Sequence, residues 1–332
     1  MDIYYIRQQF TLGAYPAILS LPLPDDSSPD YIPTLLYKAR AHLALGDNTS
    51  ALALLPTDTE NIALRAAAAL ARGEQGLETL RDLCVEIEGD DDSEEWEKEI
   101  VQVLAATAFV RAGEIEEALE TLRSEDKIGD EPAALLSQVY LSLARPALAQ
   151  KVLAPVLKAN PDALVLQLAE SAISLVTGSQ GTSGEPYAPA LSFYNEQVAN
   201  PSISSAALLV GRAVVRILRG ELSPAQSDLE EAESILSRAK CEQGSSDMLA
   251  AMVVAAGLSA KKGEADQLWS RLLKQYPPIP WSQISVLKNS CSMNALPSLR
   301  FLLELSLSLR MNRVVYNPCN DNNSGGTGIH RG

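Results

Sequence analysis

What most limits the fold of this chain is a helix-breaking residue that returns at intervals near the mid-thirties. Helical stretches end at Gly13, Gly46, Gly73, Gly113, Ala144, Gly178, Gly220 and Gly263. A period of that length fits a unit of two helices joined by a turn, and such units bury their apolar faces by stacking on their neighbours. Counting back ten, seven and three residues from each breaker finds an apolar or small side chain. The pattern holds best in Leu36/Ala39/Leu43, Val103/Ala106/Val110, Ala134/Ser137/Leu141 and Val210/Ala213/Ile217. Spacings of three and four put each triplet on one helical face. Five and nine residues after the same breakers come Ala51 and Leu55, Ala118 and Leu122, Ala149 and Leu153, and Ala225 and Leu229, which belong to a second helix.

A small side chain on each helix lets two antiparallel helices approach closely while larger flanking residues interlock. Glycine at the end of the first helix takes the left-handed conformation that caps it and turns the chain. Ala144 departs from this, but Arg145-Pro146 follows it, and proline redirects a helix as firmly. Small residues at the crossing with a glycine turn between the helices are the tetratricopeptide pattern. The pattern weakens at Gly73, where Glu78 takes the small-residue position, at Gly178, where GSQGTSGEPY inserts a loop, and at Gly13 and Gly263, which have Ile18 and Leu268 there. The spacing predicts an all-α, right-handed solenoid of about eight tetratricopeptide-like helix pairs over residues 1–280.

Composition agrees with that class. The 332 residues are 46% hydrophobic but only 5% aromatic, which suits close-packed helices better than strands. A net charge of −15 repels phosphate backbones and anionic lipid, so nucleic acid is not an expected partner. The four cysteines, Cys84, Cys241, Cys291 and Cys319, form no CxxC pair, and neither a disulfide framework nor a metal site is expected. MDIYYIRQQF has no basic stretch followed by an apolar run, and no apolar run reaches the roughly 20 residues of a membrane span. The expected compartment is the cytosol, where Asn48-Thr49-Ser50 is a chance sequon in a turn.

Reactive groups held in convergence are missing from the pattern. Of the two histidines, His42 lies beside a core stripe and His330 in a glycine-rich tail. No nucleophile elbow, phosphate loop, dinucleotide fingerprint or HExxH is present. Glu114, Glu116, Glu117 and Glu120 fall near the start of a second helix, where the helix dipole and solvent favour carboxylates. We therefore expect no catalysis, no cofactor and no small-molecule substrate. The solenoid offers instead a concave wall made by its first helices, and the apolar positions Leu36, Leu43, Val103, Val110, Leu141, Val210 and Ile217, with Arg40 near them, are the candidate partner-binding residues. For any single one of them core packing is the simpler reading; as a set they suggest a wall too apolar to face water. The acidic run Glu86–Glu95 reads as a solvated linker or as a docking patch for a basic partner.

The order of units, with FTLGAYPAILS, LLSQVYLSLARPALAQKVL and ALLVGRAVVRILRGELSPAQSDLEEAESIL, resembles the epsilon subunits of coatomer, the COPI vesicle coat, over roughly residues 1 to 280. The resemblance implies a non-catalytic solenoid that curls around an extended segment near the C-terminus of the coat's alpha subunit. It further implies a peripheral place on Golgi membranes and COPI vesicles, recruitment through a small GTPase, and retrograde and intra-Golgi transport. The chain departs from the family after about Trp281: residues 281–312, with LRFLLELSLSLR, form a divergent helical region, and 313–332 a disordered tail. Two other readings stay open: a generic tetratricopeptide adaptor, for which Arg40 and Arg111 would receive a peptide carboxylate, and a helical enzyme subunit, which would need a polar pocket.

Overall fold

A computed structural model describes residues 3–89, 94–123, 128–178, 184–239 and 245–275. Its regular structure is helical throughout these residues: eight antiparallel pairs succeed one another along the chain. The pairs are α1 (Ile3–Thr11) with α2 (Tyr15–Ser20), α3 (Tyr31–Ala44) with α4 (Asn48–Leu54), and α5 (Ile62–Ala71) with α6 (Leu77–Glu88). Next come α7 (Glu95–Ala112) with α8 (Ile115–Leu122) and α9 (Asp130–Ser142) with α10 (Pro146–Ala159). The last three are α11 (Leu164–Thr177) with α12 (Ala188–Ala199), α13 (Ala206–Leu218) with α14 (Leu222–Ala239), and α15 (Ser245–Leu258) with α16 (Lys262–Gln275). The divergent region 281–312, the tail 313–332, the inserted residues 179–183 and the acidic residues 90–93 lie outside the described residues.

After the first, the pairs close where the sequence places small side chains. Ala39, Ala66, Ala106 and Ala213 on first helices and Ala51, Ala118, Ala149 and Ala225 on second helices are buried almost to their last atom. Ser137 does the same work in the fifth pair, where its hydroxyl donates to Ala133 O at 2.8 Å and reaches Ala149 O on the facing helix at 3.4 Å. Polar caps fix several entries: Asp47, Asn61 and Ser205 each accept from a backbone N–H three residues on.

Two details depart from the sequence reading. The last turn is made by Ala260, at φ 59°, and Gly263 lies in the first turn of α16. The small residue of that pair is accordingly Ala265, five positions after the turn, with Leu268 one turn further along the same face. In the third pair a 3-10 turn over Gly73–Gly76 delays the second helix, and Gly76 supplies the close approach that Glu78 does not. A methyl group on Gly76 would stand 1.9 Å from the Ala69 carbonyl oxygen, inside the backbone of the facing helix.

Side-to-side stacking of first helices, α1 on α3, α3 on α5, α5 on α7, α7 on α9 and α9 on α11, produces two successive cores. One runs from Leu35 to Ile173; the other takes over from Leu175 to Leu272 and recruits Leu12 and Ala14 from the N-terminal turn. The curvature brings α1 against α11, so the chain meets itself after five further pairs. Gly76→Ala is expected to cost about 1–3 kcal/mol through overpacking, read as a lowered midpoint in urea unfolding with helicity retained below the transition.

Candidate functional site

Where the chain curls, polar groups from helices distant in sequence meet in its interior. Arg40 on α3 donates through Nη2 to Glu131 Oε2 on α9 at 2.6 Å, and Tyr37 OH donates to Glu131 Oε1 at 3.2 Å. The Arg40 guanidinium also lies over the Phe10 ring of α1, 4.4 Å from its centroid, and 5.1 Å from that of Tyr37. Phe10 in turn meets Tyr15 and Tyr37 edge to face. Burial alone would raise the Glu131 carboxyl, but Arg40, with Arg7 and Tyr37, outweighs it and holds the group below its usual range. Arg40 is burdened by the same burial, yet Glu131 more than offsets it and its proton is held more firmly.

Beside this pair Glu99 on α7 has no such compensation. Its side chain lies over Gly129. Burial first, then the charges of Glu131, Asp130 and Glu95, push its carboxyl up to about 7, against a smaller pull downward from Arg7. The cluster is thus one ion pair screened by rings, with an acid beside it that titrates near neutrality.

All eight residues proposed from the sequence as a partner-binding set are buried in the chain itself. Leu36, Leu43, Val110 and Leu141 belong to the first core and Val210 and Ile217 to the second. Val103 is buried on α7, and Arg40 is committed to Glu131. No open apolar groove runs along these positions in this conformation: the curl presses each first helix against its neighbours. A carboxylate at Leu43 or Val110 would be buried without a counter-charge, so it lowers the melting temperature before it reports on binding. Arg111, at the end of α7, is the opposite case. Burial alone lowers its guanidinium to about 10, and its Nε finds no acceptor among the described residues.

Other residues singled out in the sequence are structural. His42 Nδ1 faces Asp47 at 3.6 Å, and Asp47 caps α4. Glu114 and Glu117 accept from Arg81 of the preceding pair, with Glu78 as a third partner, in an exposed network. Cys84 is a free thiol, pushed up to about 12 by burial and then by Glu88 and Glu117. The network that sequence reasoning missed, Arg7, Tyr37, Glu99 and Glu131, carried one faint signal: ionisable residues on the apolar faces of first helices. Among the described residues no helix is long and apolar enough to cross a membrane, and no cluster of His, Cys, Asp and Glu could hold a metal.

Stacked helix hairpins with an inward-facing polar cluster define a protein of the helical-solenoid class. The sequence profile of the coatomer epsilon subunit family matches residues 1–288. A curated relative described as a probable coatomer subunit epsilon, from Schizosaccharomyces pombe, is 30% identical over 234 residues, covering 70% of this chain and 74% of that protein. The chain belongs to the coatomer epsilon subunit family, a structural component of the COPI coat in vesicle transport, and as such associates with other coat subunits. Among solved structures, a tetratricopeptide repeat protein from Parabacteroides merdae superposes with a TM-score of 0.46 at 17% identity, over 82% of this chain and 97% of that one.

Two outcomes test the interior. Glu131→Ala leaves Arg40 buried without its counter-charge and should cost about 3–5 kcal/mol, measured by urea unfolding at pH 7. The folded chain binds a proton at Glu99 more tightly than the unfolded chain, whose glutamate titrates near 4.5. The stability this supplies is complete below about pH 4.5 and is lost as pH rises through about 7. Glu99→Gln should therefore raise the melting temperature at pH 8 clearly more than at pH 5.

Proposed function

We propose that the chain holds the C-terminal region of the coat's alpha subunit, receiving an extended segment of that partner on the inner wall built by its first helices. The observation that supports the reading is the curl itself: α1 lies against both α3 and α11, so the pairs surround a common interior. A solenoid that surrounds its partner gains grip from geometry as well as area. In this reading Leu36, Leu43, Val103, Val110, Leu141, Val210 and Ile217 are the wall that the segment lies along, and Arg40 is its charged contact. Contact with these covered positions requires the curl to open. The coat it serves works in Golgi-to-ER retrograde and intra-Golgi transport, peripheral on Golgi membranes and vesicles, and reaches the membrane through the other coat subunits.

A second reading, an adaptor for a peptide carboxylate, draws on Arg111, a half-buried cation whose buried Nε lacks an acceptor among the described residues. A pull-down separates the two. The alpha subunit's C-terminal region at micromolar concentration should be retained, with an unrelated acidic peptide bearing a free carboxylate failing to compete. Absence of retention overturns the first reading, and competition by that peptide but not by its amidated form favours the second.

A further inference from the structure

We propose that the α1–α2 hairpin is a detachable clasp: it closes the curl by gripping the segment that leads into α13, and it swings away to admit a partner segment. The hairpin has its own apolar cluster, Ile6 and Ile18 against Tyr37 and Ala41 of α3, separate from both main cores. At its far end it is held by residues almost two hundred positions away in sequence. Gln9 Nε2 donates to Ser202 O at 3.1 Å, and the Ser205 hydroxyl donates to Leu12 O while capping α13. Leu12 and Ala14 enter the second core there, and Gly13 passes so close that a methyl on it would stand 3.3 Å from the Ala207 methyl.

The same interface is imperfectly satisfied. Gln9 Oε1, Thr34 Oγ1 and Arg40 Nη1 are buried and meet no hydrogen-bond partner among the described residues. Lys38, one turn from Thr34 on α3, is buried with its ammonium donating to Leu19 O of the hairpin, and no described carboxylate pairs with it. Buried polar atoms left unpaired cost free energy that release to water recovers. Gln9 belongs to the hairpin and Arg40 lies over its Phe10 ring, so these two losses weaken docking without weakening either core. The connection is not a continuous helix: residues 21–30, LPLPDDSSPD, form an irregular spacer with three prolines between α2 and α3. They let the hairpin leave while α3 keeps its place.

Only the entry step rests on the reading that a partner segment occupies the interior. The clasp itself is testable without a partner. In a full chain whose four native cysteines are alanine, Gly13→Cys with Ala207→Cys places two β-carbons within disulfide reach. Amide exchange should show residues 3–20 opening far more readily than α5 or α13 when the pair is reduced, and matching them after oxidation with glutathione disulfide. The oxidised chain should also associate with the alpha subunit's C-terminal region roughly tenfold or more slowly than the reduced chain. If residues 3–20 are as protected as α13 in the reduced form, or if oxidation leaves association unchanged, the clasp is overturned. Should the wild-type chain not bind that region at all, the function proposed above falls and exchange alone decides the clasp. Because cysteine at the left-handed Gly13 position is strained, Gln9→Ala serves as a second variant. It should speed exchange of residues 3–20 and leave α5 through α10 unchanged; equal exchange in all of them counts against the proposal.

Discussion

Two helices of a pair can approach until little more than a methyl group separates them, and everything larger in this molecule depends on that contact. With Ala39 facing Ala51, Ala106 facing Ala118 and Ala213 facing Ala225, the crossing is too tight for water and too featureless to slide. Each pair becomes a stiff plate, and plates stacked through first helices accumulate a fixed rotation per step. The first pair lacks this contact: Ile6 and Ile18, both fully buried, stand where other pairs have alanine, serine or glycine. Its packing therefore runs through bulky side chains against Tyr37 and Ala41, and its hold on the rest is correspondingly separate.

Accumulated rotation has an electrostatic result. It places Glu131, three first helices later in the stack, against Arg40, and Glu99 beside both. In a chain of net charge −15 an interior acid is costly, and only one of the two has a guanidinium to itself. Glu131 keeps its charge because Arg40, Tyr37 and Arg7 converge on it, whereas Glu99 answers the same burial by holding a proton near neutrality. One tight pair and one titrating neighbour give the interior a proton-dependent component that an all-apolar wall would not have.

The pairs were legible in the sequence because they obey a local rule, a small residue at fixed distance from a turn. The rule misplaced the last turn only where glycine was favoured over alanine: Ala260 accepts the left-handed conformation and Gly263 does not need it. It misjudged the third pair because the close approach moved from position 78 to Gly76. The interior was a different matter. Which side of a first helix looks inward depends on the summed rotation of several pairs, and residues 40 and 131 carry no mark that they will meet. The apolar stripes at Leu36, Val110 and Ile217 were visible, but a stripe that lines a groove and one that packs on the next helix have the same period. What the sequence could not convey was how tightly the curl closes.

Closure also explains why a solenoid of this length does not behave as an open strip. An open stack has two free ends whose exposed faces must be capped. Here one end, α1, spends its outer face on α11 and on the entry to α13, so the N-terminal pair caps itself by meeting the chain's own later turn. The α13–α16 pairs continue past that seam and take Leu12 and Ala14 into their own core. The proposed clasp is a strap over that seam, and it opens before the pairs themselves do. The same strap's unpaired Gln9, Thr34 and Arg40 atoms keep the way in from being closed for good.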